Sequence, residues 1–279
     1  MQYIEEVVKN IVKADDYLKG LFFKLAPLYK GEHGKNQGVV VPLFTSLHST
    51  SESILILLLN QAIFDADVLL RTVMEGTIKY CYLMTGTESE KEEKYAEYKE
   101  MLTDIDKLSD HHKSVEAVDI LKEFSMNSTK PFEISILSDE ELKTLSEKYP
   151  RKERDALKRK WSYQSLLRSL AREYPEYKAQ LGTISTYSLA SHFCHYDWTG
   201  LSSRNDHIMN SVKPDAIIFD VMHCNRILSN VLGMELFRIA EYMRGNGFFP
   251  QDVIELYSEV YDFVISLDRY SNELLEKAL

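Results

Sequence analysis

The chain has 279 residues, of which 44% are hydrophobic and 27% are charged, and its formal net charge is −10. This composition is typical of a soluble globular protein that buries a core without disulfides. The acidic total argues against general binding to double-stranded DNA. The three cysteines are an odd number and predict reduced thiols in a cytoplasmic protein. The longest uncharged apolar run, residues 53–64, is shorter than the ~20 residues that cross a bilayer, so no membrane contact is expected.

Helical periodicity dominates the sequence, and strict two-residue alternation is almost absent. The first helix is predicted over residues 2–29. It is followed by a loop over 30–42, in which Val39–Val41 form an extended connector. The central element is a helix over 53–84, which is apolar around most of its circumference and is therefore expected in the middle of the fold.

The later elements are also predicted to be helical. In chain order they are a charged helix over 88–124, a loop to 137, a helix from a Ser138/Glu141 capping box to Pro150, a basic segment over 151–172, a helix from Pro175 through His195, a polar loop over 199–213, a long helix over 214–245 and a last helix from Pro250. These elements predict an all-α fold, a single multi-helix bundle over residues 1–279 with a buried central helix. Its parts are an N-terminal helix and loop (1–50), a core (51–241) and a C-terminal helix (242–279).

A polar stripe runs along the central helix. Asn60, Asp67, Arg71 and Glu75 recur at steps of seven, four and four, which places them on one helical face. Because buried polar groups need partners, the stripe has two possible roles. It is either a buried ion pair that fixes helix register, or a functional face on which Arg71 contacts an anion and Glu75 orients it.

A second polar face is predicted on the helix that precedes residue 196. Tyr187, Ser191 and His195 recur every four residues, and His192 lies beside them. A histidine can act as general acid and base while an arginine stabilises phosphoryl charge, a combination that suits metal-independent RNA cleavage. No metal is expected, since no Glu-x-x-His pattern accompanies the histidines, and no cofactor, since no Gly-rich phosphate loop occurs.

Two further segments could contact a ligand. Residues 202–207 are dense in reactive side chains, and Arg204 and His207 are predicted to rim the same cleft as His195. The basic segment 151–172 could meet phosphates, although its interleaved acids favour a solvated helix.

The order of these motifs resembles a known family. Arg71-x-x-x-Glu75 in an apolar helix is followed by Trp161-Ser162, by Ser169-Leu170-Ala171, and by Tyr187-x-x-x-Ser191-x-x-x-His195. This arrangement is similar to the bacterial domain of unknown function numbered fifty-six seventy-seven, over roughly residues 51–241. The resemblance implies an all-helical fold, assigns no reaction, and marks Arg71, Glu75, Ser191 and His195 as signature positions.

A looser resemblance is to the HEPN superfamily of helical ribonucleases and nucleotide-binding modules, which are frequent in phage defence and toxin–antitoxin loci. Those nucleases usually place an arginine four to six residues before a histidine on one helix. None of the eight histidines here has that spacing. A HEPN-like site would therefore need Arg71 from one helix and His195 from another.

Three functional hypotheses follow. The first is a cytoplasmic bacterial effector in phage defence or a toxin–antitoxin pair that acts on RNA. In it His195, Arg71 and Glu75 are catalytic, and Tyr187, Ser191, His192, Arg204, His207 and Asp67 bind the substrate. The second is a non-enzymatic helical binding or scaffold protein that associates with a second copy of itself, and in it the same residues form a structural polar network. The third is a sensor of a nucleotide or another small molecule.

Overall fold

The computed structural model describes residues 2–29, 37–124, 128–210 and 214–278. These ranges contain helices and turns but no strand, so the all-α prediction is confirmed. The helices are α1 (Gln2–Tyr29), α2 (Gln37–Leu59), α3 (Ile63–Met84), α4 (Glu88–Ala96), α5 (Leu102–Glu123), α6 (Lys130–Glu133), α7 (Asp139–Lys148), α8 (Arg151–Lys160), α9 (Tyr163–Glu173), α10 (Thr183–His195), α11 (Trp198–Asn210), α12 (Pro214–Asn246) and α13 (Gln251–Ala278). A π-helical turn, Glu97–Met101, joins α4 to α5, and 3₁₀ turns precede α10.

The chain divides into two compact units. Unit 1 comprises residues 1–85 and 166–279, and unit 2 comprises residues 86–165. Each unit has its own internal contacts and is described by itself below. The expectation of one domain over residues 1–279 stays a prediction.

Helix α3 is the buried central helix of unit 1, as the sequence predicted. It packs against α2, α10 and α12, and Leu70, Val73 and Met74 are fully buried. Each such side chain contributes about 1.5–3 kcal/mol by leaving water. The facing part of α12 is equally apolar, with Ile227 and Val231 fully buried. Packing against the 33-residue α12 therefore holds α3 at the centre.

The predicted central helix over 53–84 is interrupted, which corrects the sequence analysis. Helix α2 ends at Leu59 and α3 begins at Ile63. At the break Gln61 adopts a left-handed conformation with φ of 61°, and the Asn60 side chain donates to the Ile56 carbonyl at 2.8 Å. Asn60 is thus an exposed residue at the end of α2 and does not share the α3 stripe. No glycine or proline signals this break in the sequence.

The extended connector predicted at Val39–Val41 is wrong, because these residues belong to α2. Pro42 lies inside the helix and removes one backbone hydrogen bond. Burial of Val40, Phe44 and Leu47 at helical spacing outweighs that loss. Residues 30–36 of the predicted loop lie outside the described residues.

One described helix is long and apolar enough to cross a membrane by length and composition alone, namely residues Gly38–Leu59 of α2. A core helix of a soluble protein meets the same criteria, and α2 packs along α3 and α1. The helix is therefore weak evidence on membrane association.

The polar loop predicted over 199–213 is also corrected, because most of it forms α11. Tyr196 turns the chain in a left-handed conformation with φ of 51°. The Asp197 carboxylate then accepts the Gly200 N–H at 3.1 Å and caps the new helix. The dense polar sequence hid this helix. Residues 211–213 lie outside the described residues.

Unit 2 is built on the charged helix predicted over 88–124, which the structure forms as α4, the π turn and α5. The predicted capping box is confirmed, since Ser138 and Glu141 bond each other's backbone N–H at the start of α7. Helix α8 lies antiparallel to α5: Lys158 pairs with Asp106 at 3.4 Å, and Lys160 pairs with Glu97 at 2.7 Å.

Replacing Gly200 by alanine is expected to lower the free energy of unfolding by about 1–3 kcal/mol. A Cβ there would lie 2.4 Å from the His192 carbonyl oxygen, which is backbone and cannot move aside. Gly233→Ala in α12 is the matched control, because its Cβ would meet nothing within 4 Å. That change should raise stability by about 0.5–1 kcal/mol in chemical denaturation. Equal effects of the two changes would contradict the close approach of α10 and α11.

Candidate functional site

The α3 stripe meets α10 through Tyr187. The Arg71 guanidinium lies 4.7 Å from the centre of the Tyr187 ring, and the Tyr187 hydroxyl donates to Glu75 at 3.1 Å. Glu75 also accepts from Lys79 at 2.8 Å. Among the described residues no ion pair of 4.0 Å or less joins Arg71 to Glu75. Glu75 therefore pairs with Lys79, and Arg71 stacks on an aromatic face.

The ionisation of Glu75 follows from these contacts. Partial burial alone would raise the pKa of its carboxyl. The hydrogen bonds from Lys79 and Tyr187 and the charge of Arg71 outweigh burial and hold the pKa below its usual range. Glu75 is thus a carboxylate at neutral pH and an acceptor only.

His195 lies away from this contact. Helix α10 runs antiparallel to α3, since Tyr187 meets Arg71 and Phe193 meets Phe64. Eight residues separate Tyr187 from His195, which corresponds to about 12 Å along the helix. The His195 side chain is exposed, and Ser191 lies one turn closer to Tyr187. The structure brings Tyr187 to Arg71 and Glu75, whereas the catalytic role of His195 stays a prediction.

His192 contacts the turn between α10 and α11. Its Nδ1 lies 2.6 Å from the Asp197 carboxylate, which also caps α11. The hydrogen bond from His192 and those from backbone N–H groups of α11 hold the pKa of Asp197 below its usual range. These contacts give His192 a positioning role at this turn.

A cluster of paired charges lies near the ring of Phe64. We call it the Phe64 cluster, and its members are Asp65, Asp67, Arg204, His207, Asp220, His223 and Arg226. One half of it is centred on Asp67 of α3, which is only 1% exposed. Asp67 accepts from Arg226 at 2.7 and 2.9 Å, and the His223 Nε2 lies 2.5 Å from its second oxygen. Burial alone would raise the pKa of Asp67, but the His223 hydrogen bond and the Arg226 charge hold it below its usual range.

In the other half of the Phe64 cluster, two side chains of α11 pair with carboxylates of α12 and α3. The His207 Nδ1 lies 3.1 Å from Asp220, and Arg204 donates to Asp65 at 2.6 Å. Burial raises the pKa of Asp220, although the nearby imidazoles His207 and His223 oppose that rise.

Both imidazoles touch one aromatic ring. The ring centre of Phe64 lies 5.3 Å from that of His207 and 5.7 Å from that of His223, so the imidazoles lie within about 11 Å of each other. The His207 and His223 side chains are 29% and 22% exposed. One ring nitrogen of each imidazole contacts a carboxylate, and both side chains are accessible to solvent.

Three guanidinium groups on this side of α3 have an unused donor. The buried nitrogens Arg71 Nε, Arg204 Nε and Arg226 Nη1 have no hydrogen-bond partner among the described residues. Buried N–H groups normally have an acceptor. The Arg204 guanidinium lies 5.4 Å from the centre of the Phe64 ring, and Arg226 shares Asp67 with His223, so both guanidiniums lie near the imidazoles.

The described residues contain no group of three or more His, Cys, Asp or Glu side chains that could hold a metal ion.

Sequence reasoning named three members of the Phe64 cluster, Asp67, Arg204 and His207, but missed His223 and Arg226. These two lie three residues apart on α12, within His223-Cys224-Asn225-Arg226. Their signal was available, because a histidine and an arginine at that spacing face the same side of a helix.

The chain matches a known protein family. Residues 37–211 match the family of unknown function DUF5677, which is more than half of the chain. The chain belongs to this family. The resemblance drawn from Arg71, Glu75 and the Tyr187-to-His195 motif is confirmed at the level of the family. A search of curated proteins found no match, and a search of solved structures found none.

The DUF5677 match extends from α2 through α11. Within the Phe64 cluster it includes Asp67, Arg204 and His207 and ends before His223 and Arg226. The α3 and α11 members of the cluster thus fall in the family region, and α12 supplies Asp220, the remaining imidazole and the remaining guanidinium from outside it.

Proposed function

We propose that unit 1 cleaves RNA without a metal ion at the Phe64 cluster. The observation that supports this proposal is the pair of partly exposed imidazoles at one phenyl ring, each held by a carboxylate and each beside an arginine. Phosphodiester cleavage needs one base and one acid on opposite sides of a phosphate, and two imidazoles supply both roles near neutral pH.

The reaction is an attack by the ribose 2′-hydroxyl on the adjacent phosphorus. One imidazole of the His207/His223 pair removes the hydroxyl proton as the new P–O bond forms. The other imidazole donates a proton to the leaving 5′-oxygen as the old P–O bond breaks. The products are a 2′,3′-cyclic phosphate and a 5′-hydroxyl, and the two imidazoles exchange protonation states.

The carboxylates and arginines have separate roles in this proposal. Asp67 and Asp220 orient the two rings, each through one ring nitrogen. The partly exposed guanidiniums of Arg204 and Arg226 stabilise charge on the phosphoryl oxygens in the transition state. Arg71 and Tyr187 lie further along α3 and present a cation and an aromatic face to the RNA strand.

The cellular setting is proposed on the sequence alone. A cytoplasmic bacterial effector in phage defence or a toxin–antitoxin pair agrees with the looser HEPN resemblance and with reduced cysteines. Its partners are RNA and a second copy of the chain. This proposal assigns the acid–base roles to His207 and His223. The HEPN resemblance instead suggested a site formed by Arg71 and His195.

A second candidate is a non-enzymatic scaffold, and one observation favours it. Every charged group of the Phe64 cluster already has a partner inside unit 1: Arg204 with Asp65, Arg226 with Asp67 and His207 with Asp220. Such a closed network could serve only to fix the register of α3, α11 and α12.

The test is cleavage of a mixed-sequence single-stranded RNA by the full chain in excess EDTA. We expect products with cyclic phosphate ends and no cleavage of the same strand with 2′-O-methyl riboses, because methylation removes the nucleophile. The proposed role as a HEPN-like effector is tested separately: induced expression of the chain in bacteria should arrest their growth. An intact RNA substrate after prolonged incubation with folded protein would overturn the enzyme and favour the scaffold.

A further inference from the structure

A groove in unit 2 lies between α5 and α8 and has a volume of 440 Å³. This is within the range of small-ligand sites, about 300–1,000 Å³. Its lining includes four cationic side chains, namely Lys113, Arg151, Arg154 and Lys158, and only two carboxylates, Glu116 and Asp155. The local excess of positive charge contrasts with a chain whose net charge is −10.

The cations of α8 form a row. Arg151, Arg154 and Lys158 are three and four residues apart and share the helix face that lines the groove. From the first to the last the row extends about 10 Å. Lys113 and His112 approach from α5 on the other side. A single phosphate would meet part of this row, whereas a chain of two or three phosphates would reach most of it.

The charges of this row are unequally neutralised. Lys158 pairs with Asp106 at 3.4 Å, Lys113 pairs with Asp110 at 3.3 Å, and Arg151 lies 4.0 Å from Asp155. Arg154 has no ion pair among the described residues, and its buried Nε has no hydrogen-bond partner there. Arg154 therefore brings to the groove a guanidinium that no carboxylate within the described ranges neutralises, and a phosphate is an anion that can accept from it in a bidentate geometry.

We propose that this groove binds the phosphate chain of a small ligand of nucleotide size, a diphosphate or triphosphate, with Arg154 as its principal contact. The proposal uses only residues of unit 2 and is independent of RNA cleavage in unit 1. Arg151 and Lys113 bind the flanking phosphates, and Glu116 and Asp155 at the rim limit the number of phosphates accepted.

The experiment is isothermal titration calorimetry of the full chain with pyrophosphate, with ATP and with inorganic phosphate. The salt concentration is about 0.15 M, at which long-range electrostatic attraction is largely screened. Pyrophosphate and ATP should bind saturably, at least tenfold more tightly than inorganic phosphate. Arg154→Gln should weaken pyrophosphate binding tenfold or more, and Arg151→Gln should weaken it by a smaller factor.

Arg159→Gln is the matched control, because it removes the same charge from the same helix at a residue outside the groove. It should change pyrophosphate affinity by less than twofold. Thermal unfolding of Arg154→Gln should match the wild type, because Arg154 has no carboxylate partner to leave unpaired. Equal losses in the Arg154 and Arg159 variants, equal affinity for phosphate and pyrophosphate, or no saturable binding would each overturn the proposal.

Discussion

Replacing Arg238 by methionine is expected to lower the free energy of unfolding of unit 1 by about 3–5 kcal/mol. Arg238 and Glu235 form an ion pair one turn apart on α12, and both side chains are 0% exposed. Arg238 also donates to the Thr77 hydroxyl of α3. Without the guanidinium, Glu235 would remain a buried carboxylate, and within the part of the chain that the structure describes its remaining ion-pair partner would be the His48 imidazole, 3.8 Å away. In a thermal melt this corresponds to a loss on the order of 10 °C.

The double variant Arg238→Met with Glu235→Leu separates a lost ion pair from a lost volume. Removing both charges leaves no buried carboxylate, so the double variant should recover more than half of the loss. Arg172→Met, at an exposed position on α9, is the matched control and should stay within about 0.5 kcal/mol of the wild type. A double variant as unstable as the single one would show that packing around Arg238, and not its charge, determines the effect.

The buried pair also illustrates why the sequence revealed one polar stripe and missed another. Arg71 and Glu75 drew attention because they interrupt an apolar helix, and the structure places both at partly exposed positions. Glu235 and Arg238 interrupt α12 in the same way, yet they are the charges that are fully buried. Periodicity shows which residues share a face of a helix. It does not show whether that face meets solvent or a neighbouring helix, because burial depends on the partner that packs there.

The helices themselves were largely predictable. Apolar spacing predicted α1, Pro214 and Gly245 predicted the ends of α12, and the Ser138/Glu141 capping box placed the start of α7. The errors fell where tertiary contacts outweigh local propensity. Pro42 is tolerated in α2 because its neighbours are buried. The break after Leu59 depends on the left-handed conformation of Gln61, which a glutamine in the sequence does not signal.

The candidate site was predictable in part for the same reason. Each helix could be given a polar face, but which faces meet is decided by how the helices pack. Tyr187 meets Arg71 because α10 runs antiparallel to α3, and that direction puts His195 about 12 Å further along. The same direction brings Phe193 to Phe64, where α11 and α12 supply His207 and His223.

Replacing His223 by alanine is expected to reduce metal-independent RNA cleavage about 10²–10⁴-fold, which is the usual contribution of a positioned acid or base. His223→Gln should lose as much activity, because an amide cannot transfer the proton, yet it can still donate to Asp67. Glutamine should also keep the melting temperature closer to the wild type than alanine does. Loss of activity with retained stability would show that His223 takes part in the chemistry. If the role of His223 were purely structural, activity and stability would fall together.

His195→Ala is the discriminating variant in that assay. If the Phe64 cluster performs the chemistry, the exposed His195 imidazole is dispensable for the proton transfers, and its removal should cost far less activity than removal of His223. The pH profile gives a second readout: a bell-shaped dependence requires two titrating groups, and the His223 variant should lose one limb of it. A reversed order, with cleavage abolished in His195→Ala and retained in His223→Ala, would return the catalytic role to α10. It would also require the RNA to span the about 12 Å along α10 that separates His195 from Tyr187, the residue that contacts Arg71.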